Sequence, residues 1–254
     1  MISWGTKRKL KYIISIGFFF AFILVAFIFI SIYRPPSCSD NKKNGDEQGI
    51  DCGGNCSKVC EAEALPIQID WVQAFKVKDG IWSVAAHLEN PNPNYEVRSV
   101  SYKFRIYDSN NTLIAEPRGT AYIPPGHAFG LFEGGLFVGD RIPARASVEL
   151  TERINWTKQV SSNNPIIIKD VSRTTDSQGL PKVSAVIQNQ GLKAVKNIQG
   201  FVFIYDAFGR AISASKTVID DIEGGQSGNL VFSWPGAFST DVGRVEVLHW
   251  VLPI

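Results

Sequence analysis

The sequence predicts an all-β protein: two tandem immunoglobulin-like β-sandwiches behind one N-terminal transmembrane helix. Three observations carry that prediction. Tyr12 to Tyr33 is a run of 22 residues without a charge. The chain after it is rich in short segments that alternate apolar and polar residues between Gly, Pro, Asn and Asp breakers. A pattern of such segments occurs twice, about 99 residues apart, as Asn90 and Asn189 illustrate. The expected organisation is a cytoplasmic tail over 1–11, a transmembrane helix over 12–33, a cysteine-rich neck over 34–64, and sandwiches over 65–160 and 161–254.

The apolar run carries Phe18, Phe19, Phe20, Phe22, Phe27 and Phe29. As a helix it is about 33 Å long, which matches a hydrocarbon core of roughly 30 Å. It exceeds the apolar region of a signal peptide, and Ile32-Tyr33-Arg34-Pro35-Pro36 lacks the small residues of a cleavage site. Lys7, Arg8, Lys9 and Lys11 precede it and only Arg34 follows closely, so the cationic flank stays in the cytoplasm and the C-terminal part is extracytoplasmic. The first partner expected is therefore the lipid bilayer, through 12–33.

The formal net charge of +2 conceals an asymmetry. Residues 1–34 hold five basic residues and no acid, so the rest has 21 Lys and Arg against 24 Asp and Glu. Without a basic excess, the outer part is not a nucleic-acid binder.

All four cysteines, Cys38, Cys52, Cys56 and Cys60, fall within 23 residues. That segment has too few apolar residues for a core, so a covalent or metal staple must order it. Disulfides are the default for an even cysteine count outside a cell, and three pairings are open. A zinc site is disfavoured by the Cys-x3-Cys-x3-Cys spacing and by an oxidising compartment. Asp40, Asn44, Asp46, Glu47 and Asp51 are the candidate ligands should the neck take calcium, the one cofactor the sequence suggests. Against an EF-hand loop, Asp40 falls at position 1, Asn44 at 5, Gly45 at 6 and Asp51 at 12, but Lys42 occupies position 3, where an oxygen is required. The stretch Asp51-Cys52-Gly53-Gly54 with its flanking cysteines resembles a short cysteine module of secreted and surface proteins. That resemblance implies an extracellular context and a calcium-supported disulfide knot, and no enzyme.

In the repeated part, Val84-Ala-Ala-His-Leu-Glu-Asn90 precedes Val100-Ser-Tyr-Lys-Phe-Arg-Ile-Tyr-Asp108, and Val183-Ser-Ala-Val-Ile-Gln-Asn189 precedes Ile198-Gln-Gly-Phe-Val-Phe-Ile-Tyr-Asp206. Ile123-Pro-Pro-Gly126 then aligns with Ile222-Glu-Gly-Gly225. Tyr102, Phe104 and Ile106 alternate with Lys103 and Arg105, and Phe201, Phe203 and Tyr205 alternate in the second copy, so each set is expected to face its own core. The Tyr of each Tyr-Asp ending is expected in the core too. Asn90, Asp108, Asn189 and Asp206 end strands, where their side chains accept backbone N–H groups of the following turn; they are structural caps and not ligands. The pattern of Asn after a strand, then Phe-x-x-Tyr-Asp, resembles the FxLYD domain. The first copy is also similar to the water-stress domain of type 2 late-embryogenesis-abundant proteins. Both resemblances imply immunoglobulin-like sandwiches without catalysis, and the whole arrangement resembles bacterial single-pass envelope proteins.

No nucleophile elbow, phosphate loop or His-Glu-x-x-His motif is present, and His87, His127 and His249 are isolated in sequence. Trp71, Trp82, Trp234 and Trp250 lie in strand-like segments, as core residues or as a platform for glycan rings. The apolar, Gly-rich stretch Gly126 to Phe137 is suited to pack between the sandwiches. Asn110 and Asn155 head glycosylation sequons. The expected function is non-enzymatic: a membrane-anchored extracytoplasmic protein that presents two sandwiches to an envelope or surface protein, or spaces them from the bilayer. The rival readings are a calcium- or glycan-binding surface protein and an accessory subunit of a membrane complex.

Overall fold

The computed structural model describes residues 4–33, 35–159 and 165–253. Arg34 and the expected boundary between 160 and 161 lie outside the described residues. Two compact units make up the chain, Met1–Cys56 and Ser57–Ile254. The division falls inside the 34–64 segment. Val59 is buried in the apolar cluster of the second unit and its N–H donates to Trp156 O at 3.0 Å. Lys58 forms a bridge with Thr157, so 58–59 joins the β structure, and Glu61–Glu63 follows as a short 3-10 helix.

In the first unit, α1 (Trp4–Ile32) begins earlier than the apolar run, because the Lys-, Arg- and Leu-containing stretch before Tyr12 is made of good helix formers. Its segment Arg8–Ser31 is long and apolar enough to cross a membrane. Phe18, Phe22 and Phe29 are exposed on it, and an apolar surface on all sides has its low-energy environment in lipid, not water. After the helix, Cys38 is joined to Cys56 across a separation of 18 residues; Cys52 and Cys60 are disulfide-bonded as well, and no cysteine is free. Gly54 adopts a positive φ where a Cβ would collide with the Asp46 carbonyl oxygen, which accounts for glycine at that turn.

Among the described residues, the second unit holds fourteen strands. In the first sandwich they are β1 (Gln68–Lys78), β2 (Ile81–Glu89), β3 (Tyr95–Tyr107), β4 (Leu113–Ala115), β5 (Arg118–Ile123), β6 (Ala128–Phe137), β7 (Arg145–Leu150) and β8 (Thr157–Lys158). One sheet runs β1-β2-β6; in the other β3 is central and pairs with β4, β5, β7 and β8, all antiparallel. The second sandwich has β9 (Ile166–Thr175), β10 (Pro181–Asn189), β11 (Val195–Tyr205), β12 (Ala211–Ile222), β13 (Ser227–Ser233) and β14 (Arg244–Val251). Its sheets run β9-β10-β13 and β12-β11-β14. The strand orders of the two sandwiches correspond, with β12 continuous where the first sandwich has β4 and β5. Pro117 lies in that gap, since it has no N–H to give a ladder.

Tyr102, Phe104 and Ile106 of β3 are buried, as the alternation requires, opposite Val84, Ala86 and Leu88 of β2. The second copy is different. Val202 and Ile204 fill its core with Val183, Ile187, Leu230 and Phe232, while Phe201, Phe203 and Tyr205 belong to the cluster that contains the first sandwich's core residues. The expectation that Phe201, Phe203 and Tyr205 face their own core is therefore wrong by one residue of phase. Every residue from Gly200 to Tyr205 is buried, because both faces of β11 are covered. Ser83 to Ala86 of β2 are all buried for the same reason. Tyr107 does not enter a core either: it is half-buried on the outer face of β3 beneath the Arg145 guanidinium, 4.5 Å from the ring centroid.

Candidate functional site

The neck acids fold their own loop. Asp40 accepts the Lys42 N–H at 2.9 Å and the Asn44 amide at 2.8 Å. Asp51 accepts the Asn41 N–H on both oxygens, at 3.0 and 3.1 Å. Glu47 accepts the Asn44 N–H at 3.1 Å, and Asp46 accepts the Asn55 amide at 2.6 Å. The Asn44 hydrogen bond holds the Asp40 carboxyl below the usual carboxylate range. Among the described residues, the one trio of His, Cys, Asp or Glu with ligand atoms close enough for a shared ion is Cys38, Glu47 and Cys56. Its two sulfurs are joined to each other and offer no thiolate. Among the described residues, no three of the carboxylates of Asp40, Asp46, Glu47 and Asp51 come close enough for one shared ion.

The strand-ending residues are local organisers. Asn90, fully buried, donates to Tyr95 O and Pro124 O, both at 2.8 Å, and its Oδ1 accepts the Asn92 N–H at 3.0 Å. Asn189, also fully buried, donates to Lys193 O at 2.8 Å and Ile222 O at 2.9 Å, and accepts the Gly191 N–H at 2.9 Å. Asp108 Oδ1 accepts the N–H groups of Asn110 and Thr112, and Asp206 Oδ1 those of Phe208 and Arg210, all at 2.9 Å. Asp206 also pairs with the Arg210 guanidinium at 2.7 Å. Their acceptor oxygens are occupied by the turns they cap.

The densest set of chemically capable side chains lies elsewhere, in the seam between the sandwiches. The outer face of β1-β2-β6 packs on the outer face of β12-β11-β14. On the first side stand Trp71, His87 and Gly130, three residues in register across β1, β2 and β6. On the second stand Phe201, Phe203 and Tyr205. Trp71 meets Phe203 edge-on with centroids 5.1 Å apart, and His87 meets Phe203 at 5.3 Å. Gly130 permits this approach, since a Cβ there would lie 2.6 Å from Phe201 Cδ1 and 2.8 Å from Phe203 Cζ. Of the Gly-rich stretch, Gly130 thus packs between the sandwiches, while Phe137 at its end is exposed. Trp250 closes the end of the seam, stacked on Phe201 at 4.8 Å and donating to Gln199 Oε1 at 3.2 Å. Trp250, 4% exposed, therefore has no free face for a sugar ring, while Trp71 is half-buried among Phe75, His87, Phe203 and Tyr205.

His87 is the polar centre of the seam. Its Nδ1 lies 2.6 Å from Asp70 Oδ2 and its Nε2 lies 3.5 Å from Glu246 Oε1. Glu246 Oε2 accepts the Tyr205 hydroxyl at 2.9 Å and sits 3.4 Å from Arg244 Nη1. Arg244 lies over the Tyr205 ring at 4.1 Å. Burial works to lower the His87 pKa, but the Glu246 and Asp70 carboxylates outweigh it and raise the value above 6.5. Glu246 is correspondingly held below 4.5, chiefly by the adjacent His87 side chain, whose Nε2 approaches it without a formed hydrogen bond. Burial and the same carboxylate push the Tyr205 hydroxyl up to about 12. Among the described residues no hydroxyl or thiol is hydrogen-bonded to His87. His249 is placed apart from it: its Nε2 lies 3.0 Å from Ile166 O, and burial, with a smaller contribution from His127, pushes its pKa down.

The sequence did not single out Asp70, His87 or Glu246 as a set. The available signal was the strand phase: superposing the Tyr-Asp endings puts Phe201 and Phe203 where the first copy has Lys103 and Arg105. Apolar side chains at the solvent-facing positions of a strand announce a covering partner.

No protein-family model matches the sequence, and no curated protein is found as a relative. Among solved structures, the chain is similar at 12% identity and a TM-score of 0.23 to red sea bream transglutaminase, over 74% of this chain and 31% of that one. It is similar at 12% identity and a TM-score of 0.22 to a β-glucuronidase of glycoside hydrolase family 2, over 80% of this chain and 25% of that one. A third likeness, at 12% identity and a TM-score of 0.20, is to the calcium-binding domain CBD12 of CALX1.1, over 66% of this chain and 79% of that one. The chain thus spans about a third and a quarter of the first two enzymes, and likenesses this slight carry no argument about activity.

Proposed function

We propose that this is a membrane-anchored, extracytoplasmic, non-enzymatic protein whose two tandem sandwiches act as one stiff body that meets an envelope or surface protein or sets a distance from the bilayer. The observation that carries this reading is the seam. Phe201, Phe203, Tyr205 and Trp250 of the second sandwich share an apolar cluster with Phe75, Val84, Phe104 and Phe129 of the first. Beads on a flexible linker would not bury aromatic rings between them; a spacer or a shaped binding body gains from doing so. The equivalent roles of Asn90 and Asn189, and of Asp108 and Asp206, support descent of both sandwiches from one module. The helix and the oxidised cysteines support placement outside the cytoplasm, with α1 as a retained signal anchor.

Protease added to intact cells or wall-stripped cells that express a C-terminally tagged chain tests this placement. The reading expects loss of the tag and a protected fragment that contains α1, with no free thiol labelled before reduction. A protected tag, or four labelled thiols, would refute it.

A further inference from the structure

We propose that His87 is a proton-operated latch between the sandwiches: with a proton on both ring nitrogens, it joins Asp70 of the first sandwich to Glu246 of the second. The geometry stands on three elements. His87 on β2 has only 12% of its side chain exposed. Asp70 holds one nitrogen at 2.6 Å and Glu246, 159 positions away along the chain, faces the other at 3.5 Å. Trp71 stacks against the imidazole at 6.0 Å and 27°, which suits a cationic ring, and Phe203 meets it edge-on at 5.3 Å.

Neutral imidazole can donate from one nitrogen only. If Nδ1 keeps its proton for Asp70, Nε2 becomes a lone pair aimed at the Glu246 carboxylate, and the contact turns from attraction to repulsion. The bridge therefore exists in the protonated state alone. Glu246 would still hold the Tyr205 hydroxyl and Arg244, both on its own sandwich, so proton loss removes the His87–Glu246 link, the one ion pair across the seam among the described residues. The other elements around the imidazole add no competing charge: β6 brings Gly130, β11 brings Phe203, and β12 adds Ala211 and Ala214 to the surrounding apolar cluster.

The direction of the pH response follows. His87 binds its proton more tightly in the closed seam than in an unfolded chain, where 6.5 is the ordinary value. Its contribution is thus complete below that pH and fades as pH rises through the raised folded-state value. Glu246, held below 4.5, contributes above that value and loses its contribution as pH falls further. The latch is strongest between the two. His249, whose pKa is lowered, titrates in the opposite sense and must be cancelled in any test.

A double-mutant cycle cancels it. The wild-type chain, His87→Gln, Glu246→Gln and the double variant would be unfolded in urea in detergent micelles at pH values from about 5.5 to 8.5. The latch predicts a coupling of about fivefold in the unfolding equilibrium constant at the acidic end that falls to near unity at the alkaline end. Coupling independent of pH overturns it. NMR titration of the His87 ring in the wild-type chain needs no variant: a value above 6.5 supports the latch, and one at or below 6.5 overturns it.

Discussion

Strands β3 and β11 occupy the same place in their sheets and end in the same Tyr-Asp turn, yet their outer faces are opposites. β3 turns Lys103, Arg105 and Tyr107 outward. Arg105 pairs with Glu149 at 2.9 Å and Glu116 at 3.4 Å, and Lys103 with Glu149 at 3.5 Å. β11 turns Phe201, Phe203 and Tyr205 outward, into the seam. Both tyrosines keep an arginine over the ring, Arg145 and Arg244, from the next strand in register. The comparison teaches that two positions on one face of a strand separate a charged outer face from one that joins an apolar seam.

The largest effect should come from giving β11 the outer face of β3. Phe203→Arg places a charge at a fully buried position and removes a ring that touches Trp71 and His87, so we expect a loss of ~3–5 kcal/mol in urea unfolding. A loss under about 1 kcal/mol would break the comparison. Gly130→Leu attacks the same contact from the other side by forcing a side chain against Phe201 and Phe203; a cost of ~1–3 kcal/mol is expected by the same assay. The two buried asparagines sharpen the comparison further. Asn90→Ala leaves two carbonyls unpaired and also frees Asn92, which ties Leu65 to the sandwich through 2.7 and 2.8 Å hydrogen bonds. It should cost ~2–3 kcal/mol, and Asn189→Ala, which lacks that extension, ~1–2 kcal/mol, both read as shifts in denaturant midpoint. Arg105→Ala should matter least. Its ion pairs are solvent-screened, so a change under about 1 kcal/mol is expected, and it should shrink further in high salt.

How much of this could be read from the chain varies with the range of the interaction. The caps at Asn90, Asp108, Asn189 and Asp206 act within a few residues or across one turn, so residue type and position were enough to suggest them. The alternation of Tyr102, Phe104 and Ile106 with Lys103 and Arg105 fixed both the strand and its inward face. Gly200 to Tyr205 carries no polar residue to set the phase, so the same rule placed Phe201, Phe203 and Tyr205 in the wrong core. A run apolar on both faces marks a strand covered twice, and what covers it is a long-range fact. The cysteines gave oxidation but left three pairings, of which the structure has Cys38 with Cys56. The calcium candidates illustrate the converse. Asp40, Asn44, Asp46, Glu47 and Asp51 are close in sequence and plausible in type, but the loop turns the carboxylate oxygens of Asp40, Asp46, Glu47 and Asp51 toward its own N–H groups, and Asn44 Oδ1 is buried with no hydrogen-bond partner. His87 meets Glu246 only because two sheets pack face to face, which no local pattern encodes.

The claim on which the rest depends is that the two sandwiches melt as one body. Calorimetry of the whole chain in detergent measures this directly through the ratio of calorimetric to van't Hoff enthalpy. A shared seam predicts one transition over the β region with a ratio near one, which splits into two in Phe203→Arg. Two separate transitions in the unaltered chain, unchanged by that substitution, would contradict it.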